Sequence, residues 1–199
     1  EIGMDSYSTA DSFCGCDLDY LISVSGGRRV MNNEFNVHSQ DPRHMAQSYW
    51  GQVGKGVKGI CTWCFSEAPN LWMYYMWALL EPDYTPRDKL APLADANHEI
   101  HRLERVLAPA VPKSFVKPIA MYYSRMDLSL PQTTLGVYSS AINSPYRIYA
   151  VLRGLGYQVR WITPRQIEAG QLKDVGAVVM VGVKYVPARA AATLAQWVK

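Results

Sequence analysis

Charge is scarce in this chain and nearly cancels. Of 199 residues 19% are Asp, Glu, Lys or Arg, and the formal net charge is +3. So small a surplus gives no electrostatic footprint for nucleic acid or an anionic membrane, and neither is expected as a partner. Long apolar runs are missing too. Stretches such as Ala177-Val178-Val179-Met180-Val181 have the length of a strand, far short of the roughly 20 residues of a membrane span. No Gly-rich phosphate loop follows a strand: Gly26-Gly27 closes a helix and precedes a strand, the reverse of the phosphate-binding order. Internal repeats and low-complexity runs are absent. Cysteine is sparse, with four residues arranged as Cys14-Gly15-Cys16 and Cys61-Thr62-Trp63-Cys64. On a strand, that second spacing sends Cys61 and Cys64 to opposite faces, so they cannot chelate one ion together. Neither a metal nor a disulfide framework is expected, and no organic cofactor is called for. Cysteine usage leans toward a reducing, cytoplasmic compartment. The sequence opens on Glu1-Ile2-Gly3-Met4-Asp5, which reads as the inside of a strand, without an initiator Met or a signal-like leader. The expectation is therefore a piece of a longer polypeptide.

Aromatic residues are what the chain has in quantity: 13 Tyr and 6 Trp within a composition that is 49% hydrophobic. Such rings suit sugars and other ring ligands as well as cores. The length allows one large domain or two small ones. The first 65 residues alternate strand, helix, strand, helix, strand, with glycine stops between. Ile2 to Tyr7 reads as a strand, and Asp17 as the cap of a helix from Leu18 to Val24. The strand Val30 to Glu34 follows, and Asp41-Pro42 then opens a helix that carries Met45, Tyr49, Trp50 and Val53. Gly54-Lys55-Gly56 stops it before a strand from Val57 to Trp63. Alternation of this kind implies parallel strands with right-handed crossovers. An aromatic loop leads to a long helix from Arg87 to about Leu107, with Leu90, Leu93, Ile100, Leu103 and Leu107 as its apolar stripe.

Ala108-Pro109-Ala110-Val111-Pro112 is a stretch that no helix can cross, and the pattern restarts beyond it. Strands are expected at Lys117 to Ser124, Tyr157 to Ile162 and Val175 to Gly182, the last wholly apolar and hence buried on both faces. Helices are expected around Pro145 to Leu155, Arg165 to Leu172 and Pro187 to Val198. The division is thus 1–110, a linker at 111–116, and 117–199.

In parallel α/β folds chemistry sits where strands end, and the residue that stands there is Glu34. It lies between Asn33 and Asn36, near His38. Amide donors favour a carboxylate over a carboxylic acid, which suits a nucleophile more than a proton donor. Asp5 and Tyr7 end the preceding strand and Trp63 the following one, so in a parallel sheet they converge on Glu34. A carboxylate, a phenol and an indole around one hollow equip a sugar site: the acid attacks or stabilises an oxocarbenium-like centre, the phenol orients it, and the indole stacks on the ring. Trp50 is assigned to the core rather than to a site, and His38 and His44 to a loop and a helix face.

Asn33-Glu34 at a strand end, Trp50 in the next helix, Gly56-Val-Lys-Gly-Ile-Cys-Thr-Trp63 as the next strand and a long helix after it resemble the last three βα units of a clan A glycoside hydrolase barrel. Family 42 β-galactosidases are the closest match. In that family the nucleophile Glu ends the seventh strand, and a domain resembling class I glutamine amidotransferases follows the barrel and packs subunits into trimers. The helix Tyr146-Arg-Ile-Tyr-Ala-Val-Leu-Arg-Gly-Leu-Gly156 and the strand Val159-Arg-Trp-Ile-Thr-Pro164 are similar to the opening of that domain. No Cys follows Val175 to Gly182, so no amidotransferase nucleophile is present.

The resemblance implies an α/β chain comprising strands six to eight of a TIM (β/α)8 barrel and the first part of a flavodoxin-like trimerisation domain. It implies a retaining exo-glycosidase acting on terminal β-D-galactosides in carbohydrate metabolism. Glu34 takes the nucleophile position, with Asp5, Tyr7, Asn33, Trp63 and Glu67 at the sugar. The family's general acid/base Glu belongs to the fourth strand, upstream of Glu1, so these residues alone are expected to be inactive. The rival readings are another clan A β-glycosidase, a non-catalytic carbohydrate-binding or assembly protein with a degenerate barrel, and a small flavodoxin-like binding protein.

Overall fold

A computed structural model describes residues 1–6, 16–35, 42–66, 77–109, 116–124 and 145–199. The chain divides into two compact units, Glu1–Pro112 and Lys113–Lys199.

The first unit is built on a three-stranded parallel sheet of β1 (Ile2–Asp5), β2 (Val30–Phe35) and β3 (Gly59–Thr62), with β2 in the centre. The helix α1 (Cys16–Val24) connects β1 to β2, and α2 (Pro42–Lys55) connects β2 to β3. Gly26, Gly27 and Gly56 take φ of 64°, 82° and 99° just after the two helices. Glycine enters this region without steric cost, which is why both helices stop there. Pro42 starts α2 as expected, while Asp41, expected as its cap, lies outside the described residues. Asp17 is not the cap of α1. The helix begins at Cys16, and Asp17 and Asp19 sit in its first turn, where negative charge complements the helix dipole.

The long helix is broken rather than continuous. The helix α3 spans Leu90–Arg102, and a separate turn, α4, spans Glu104–Leu107. Leu103 departs from helical geometry at φ −92°, ψ 3° between them. The apolar stripe of α3 packs Leu93 and Ala96 with Phe35, Met45, Tyr49 and Leu79 in one core, with Trp50, Ile60, Leu90 and Ile100 packed against it. Trp50 is therefore a core residue. Tyr49 is the polar pin of this core. Its ring packs 6.1 Å from that of Phe35, and its hydroxyl donates to Asn97 Oδ1 at 2.8 Å, so α2 is bonded to α3.

The second unit has its own parallel sheet of β4 (Ile119–Tyr122), β5 (Val159–Ile162) and β6 (Ala177–Val179), with β4 central. Its helices are α5 (Pro145–Gly154), α6 (Pro164–Glu168) and α7 (Ala188–Trp197), with a 3₁₀ turn at Gln171–Asp174. Thr163 starts α6 with a capping box. Its hydroxyl accepts from the Gln166 amide, and Gln166 Oε1 accepts from the Thr163 amide at 2.9 Å. The sequence Thr-Pro-Arg-Gln carries this signature. Ala120, Tyr122, Ile162, Ile167, Leu172, Val175 and Ala190 form the core. The apolar strand β6 departs from expectation. It is short, Ala177 is exposed, and Val178 and Val179 are only half-buried, so the described residues do not cover both faces of the sheet at this strand.

Burial raises the Tyr49 pKa above its ordinary value of 10, and the Asn97 bond opposes this only in part. A raised folded-state pKa means that the contribution is complete below the unfolded value and is lost as pH rises through the folded one. Tyr49→Phe is therefore expected to lower stability by about 1 kcal/mol at pH 7. The difference should shrink as pH climbs beyond 10, as denaturant titrations at both pH values would show.

Candidate active site

Glu34 owes its place to an irregularity in β2. Ladder partners run Ile2 with Val30, Gly3 with Met31 and Met4 with Asn32, and then jump to Asp5 with Glu34. On the other side Asn32 pairs with Ile60 and Phe35 with Thr62. β2 thus contains one residue more than either neighbour, a β-bulge. Without it, strict alternation would put Asn32 and Glu34 on the same side of the sheet. Asn32 faces the helices: it is fully buried, and its Nδ2 donates to Gln52 Oε1 of α2 at 2.9 Å. The extra residue makes Phe35, not Glu34, the next side chain to enter the helix-side core.

Asn33 and Glu34 consequently both stand on the opposite face, Asn33 exposed and Glu34 half-buried. The backbone N–H of Ser6 donates to the Glu34 carbonyl at 3.1 Å, which fixes the end of β1 beside the acid. Asp5 is exposed and level with Glu34 in the register. Across the sheet, the Trp63 amide donates to the Phe35 carbonyl at 2.8 Å, one residue past β3. Trp63 is 39% exposed. The Trp63–Cys64 peptide is cis. Asp5, Asn33, Glu34 and Trp63 are thus brought to the carboxyl-terminal ends of three adjacent strands. Tyr7, Glu67 and His38 lie outside the described residues. His44 is half-buried on α2.

Glycines flank the central strand at the level below. A Cβ on Gly3 would run into the Asn33 carboxamide, and one on Gly59 would come 2.9 Å from the Met31 methyl. Side chains of β2 therefore lie sideways over both neighbours, Asn33 over β1 and Met31 over β3.

Two features were not singled out in the sequence. Asn32 is one, an amide at a helix-facing strand position where an aliphatic residue is usual. The other is a cationic corner beyond β3. Lys89 Nζ donates to the Trp77 carbonyl at 3.2 Å, and Arg87 pairs with Glu81 at 3.1 Å. Burial holds the Lys89 ammonium below the ordinary lysine range, the Arg87 guanidinium adds to this, and Cys64 acts in the opposite sense. Cys61 is exposed and Cys64 half-buried. No group of three or more potential metal ligands occurs among the described residues. No helix among them is long and apolar enough to cross a membrane.

This architecture matches parts of glycoside hydrolase structures. The β-galactosidase of the haloarchaeon Halorubrum lacusprofundi superposes with a TM-score of 0.70 at 18% identity, over 94% of this chain and 28% of that one. The β-galactosidase of Marinomonas ef1 gives a TM-score of 0.71 at 14% identity, over 93% and 30%. A GH5_18 protein from Streptomyces cattleya gives 0.58 at 13% identity, over 89% and 48%. At such identities the likeness is one of fold, an α/β arrangement shared with these hydrolases. The chain spans under a third of the length of either β-galactosidase. No protein-family model matches the sequence, and no curated protein matches it.

Gly3→Ala tests the seating of Asn33. Gly3 is not among the glycines at positive φ, so alanine fits the strand backbone, and the amide in its way is the tip of a flexible side chain. The variant should keep its stability within about 0.5 kcal/mol while the Asn33 carboxamide moves off β1. An unchanged Asn33 side-chain amide resonance would refute that arrangement.

Proposed function

We propose that residues 1–110 are the last three βα units of a TIM (β/α)8 barrel in a retaining exo-glycosidase that hydrolyses terminal β-D-galactosides, similar to the family 42 β-galactosidases. Residues 117–199 are then the first part of an amidotransferase-like domain that joins subunits into a trimer. The observation that carries this reading is the side of the sheet on which Glu34 stands. It is at the carboxyl-terminal end of the central strand, away from the helix layer, level with Asp5 and one strand from a half-exposed indole. In α/β barrels that face is the interior and that rim carries the chemistry.

In this reading the Glu34 carboxylate attacks the anomeric carbon, the glycosidic C–O bond breaks, and a glycosyl-enzyme forms. A second Glu, outside this chain and about 5–5.5 Å away, protonates the leaving oxygen and then activates water. Tyr7 hydrogen-bonds Glu34, Asn33 and Asp5 contact the sugar or the nucleophile, Trp63 is the floor beneath the ring, and Glu67 contacts galactose. Neither a metal nor a cofactor takes part. Two β-galactosidases near a TM-score of 0.7 support the galactoside. An exo-β-1,4-mannosidase from an Opitutaceae bacterium, at 0.53 and 17% identity, keeps another β-glycosidase of the clan as the second reading.

In the full-length protein, Glu34→Gln should reduce turnover of nitrophenyl β-galactoside by roughly 10³-fold or more. A panel of nitrophenyl glycosides separates galactoside from mannoside, and full activity of the variant would remove Glu34 from the mechanism. The 199-residue polypeptide by itself should show no turnover, since three strands cannot close a barrel.

A further inference from the structure

We infer that Asn32 and Gln52 are positioning residues for Glu34, and that the helix α2 holds the acid in place through them. This rests on the reading of Glu34 as the nucleophile.

Beside a bulge, a side-chain amide can bond backbone groups of its own strand and of the next one. The Asn32 carboxamide does this. Its Oδ1 accepts from the Glu34 amide at 3.3 Å and from the Ser6 amide at 2.9 Å, and its Nδ2 donates to the Ser6 carbonyl at 2.8 Å. These three backbone groups leave one possible orientation. Two amides must meet the oxygen, and one carbonyl must meet the nitrogen.

The second hydrogen of Nδ2 then needs an acceptor on the helix side, so Gln52 must present Oε1, which it does at 2.9 Å. The cost is visible on the helix. Gln52 is buried, and its Nε2, like Ser48 Oγ one turn earlier, has no hydrogen-bond partner among the described residues. A buried donor left unmade is expensive. The orientation of Gln52 is therefore dictated by what Asn32 requires, and what Asn32 requires is set by the bulge that turns Glu34 away from the helices. The chain of support runs from α2 through Gln52 and Asn32 to the Glu34 backbone and the end of β1.

The test is the rate at which a 2-deoxy-2-fluoro-β-galactoside with a dinitrophenolate leaving group labels the full-length protein. The carboxylate of Glu34 forms a bond to C1 as the C–O bond to the aryl group breaks, and the electron pair leaves on dinitrophenolate. No proton donor is needed, so the reaction reports the nucleophile alone. Peptide mapping should find the label on Glu34. Well below each variant's melting temperature, and per folded molecule, Asn32→Ala should lower the limiting labelling rate about 100-fold and Gln52→Leu several-fold, with the half-saturating probe concentration little changed. A role confined to stability would lower the melting temperature and leave that rate intact. If Asn32→Ala fails to fold, Gln52→Leu decides, since it removes the unpartnered amide and keeps an apolar side chain in the core. Labelling of Glu34 at the wild-type rate in the folded variants would overturn this inference and leave the nucleophile assignment standing. A label on another residue, or no labelling of the wild type, would overturn the nucleophile assignment and this inference with it.

Discussion

One extra residue in a parallel strand changes the side on which everything after it stands, and it brings a backbone amide within reach of a side chain of its own strand. In β2 the two effects fall on the same residue. Glu34 is turned away from the helices, and its amide is taken up by the Oδ1 of Asn32. The same carboxamide binds both backbone groups of Ser6, so the ends of β1 and β2 are clamped at one level. A fully buried amide with four hydrogen bonds sits where an aliphatic side chain would pack more cheaply. Gln52 of α2 supplies the last acceptor, which satisfies the Asn32 carboxamide in full and leaves Gln52 Nε2 without a hydrogen-bond partner among the described residues.

The core explains why the bulge is tolerated. Phe35 returns to the helix side one position late, and there it meets Tyr49 and Met45 of α2 and Leu93 of α3 in a closed cluster. Burying a ring of that size is worth on the order of 2 kcal/mol. The register of the strand end is thus fixed from two sides, by apolar burial at Phe35 and by the amide clamp at Asn32. The two residues between them, Asn33 and Glu34, are left with only one direction to point. Small residues at Gly3 and Gly59 let the neighbouring side chains of β2 lie flat instead of filling the space above the sheet.

Much of this was legible from the residues in order. The alternation of strands and helices with glycine stops between gave parallel βα units, and the strand-end acid was recognisable from its amide neighbours. Pro42 at a helix start and Trp50 on the core face of α2 follow from local rules. Three things did not follow. The break at Leu103 interrupts a stripe whose spacing is unbroken in sequence. In the apolar β6, Ala177 is exposed and Val178 and Val179 are half-buried, so the inference from composition to burial on both faces fails. Asn32, the residue on which the geometry turns, looked like one more polar neighbour of Glu34.

What the sequence determined by itself is the local menu: which segments are strands or helices, the glycine stops after α1 and α2, and which chemical groups lie near strand ends. These depend on propensity, on φ-permissive glycines and on side-chain period, all set within a few residues. Which face of the sheet Glu34 occupies was decided only by tertiary structure. That choice depends on counting residues against two neighbouring strands and on a hydrogen bond from Asn32 to a helix that starts ten residues later, and no local pattern carries either.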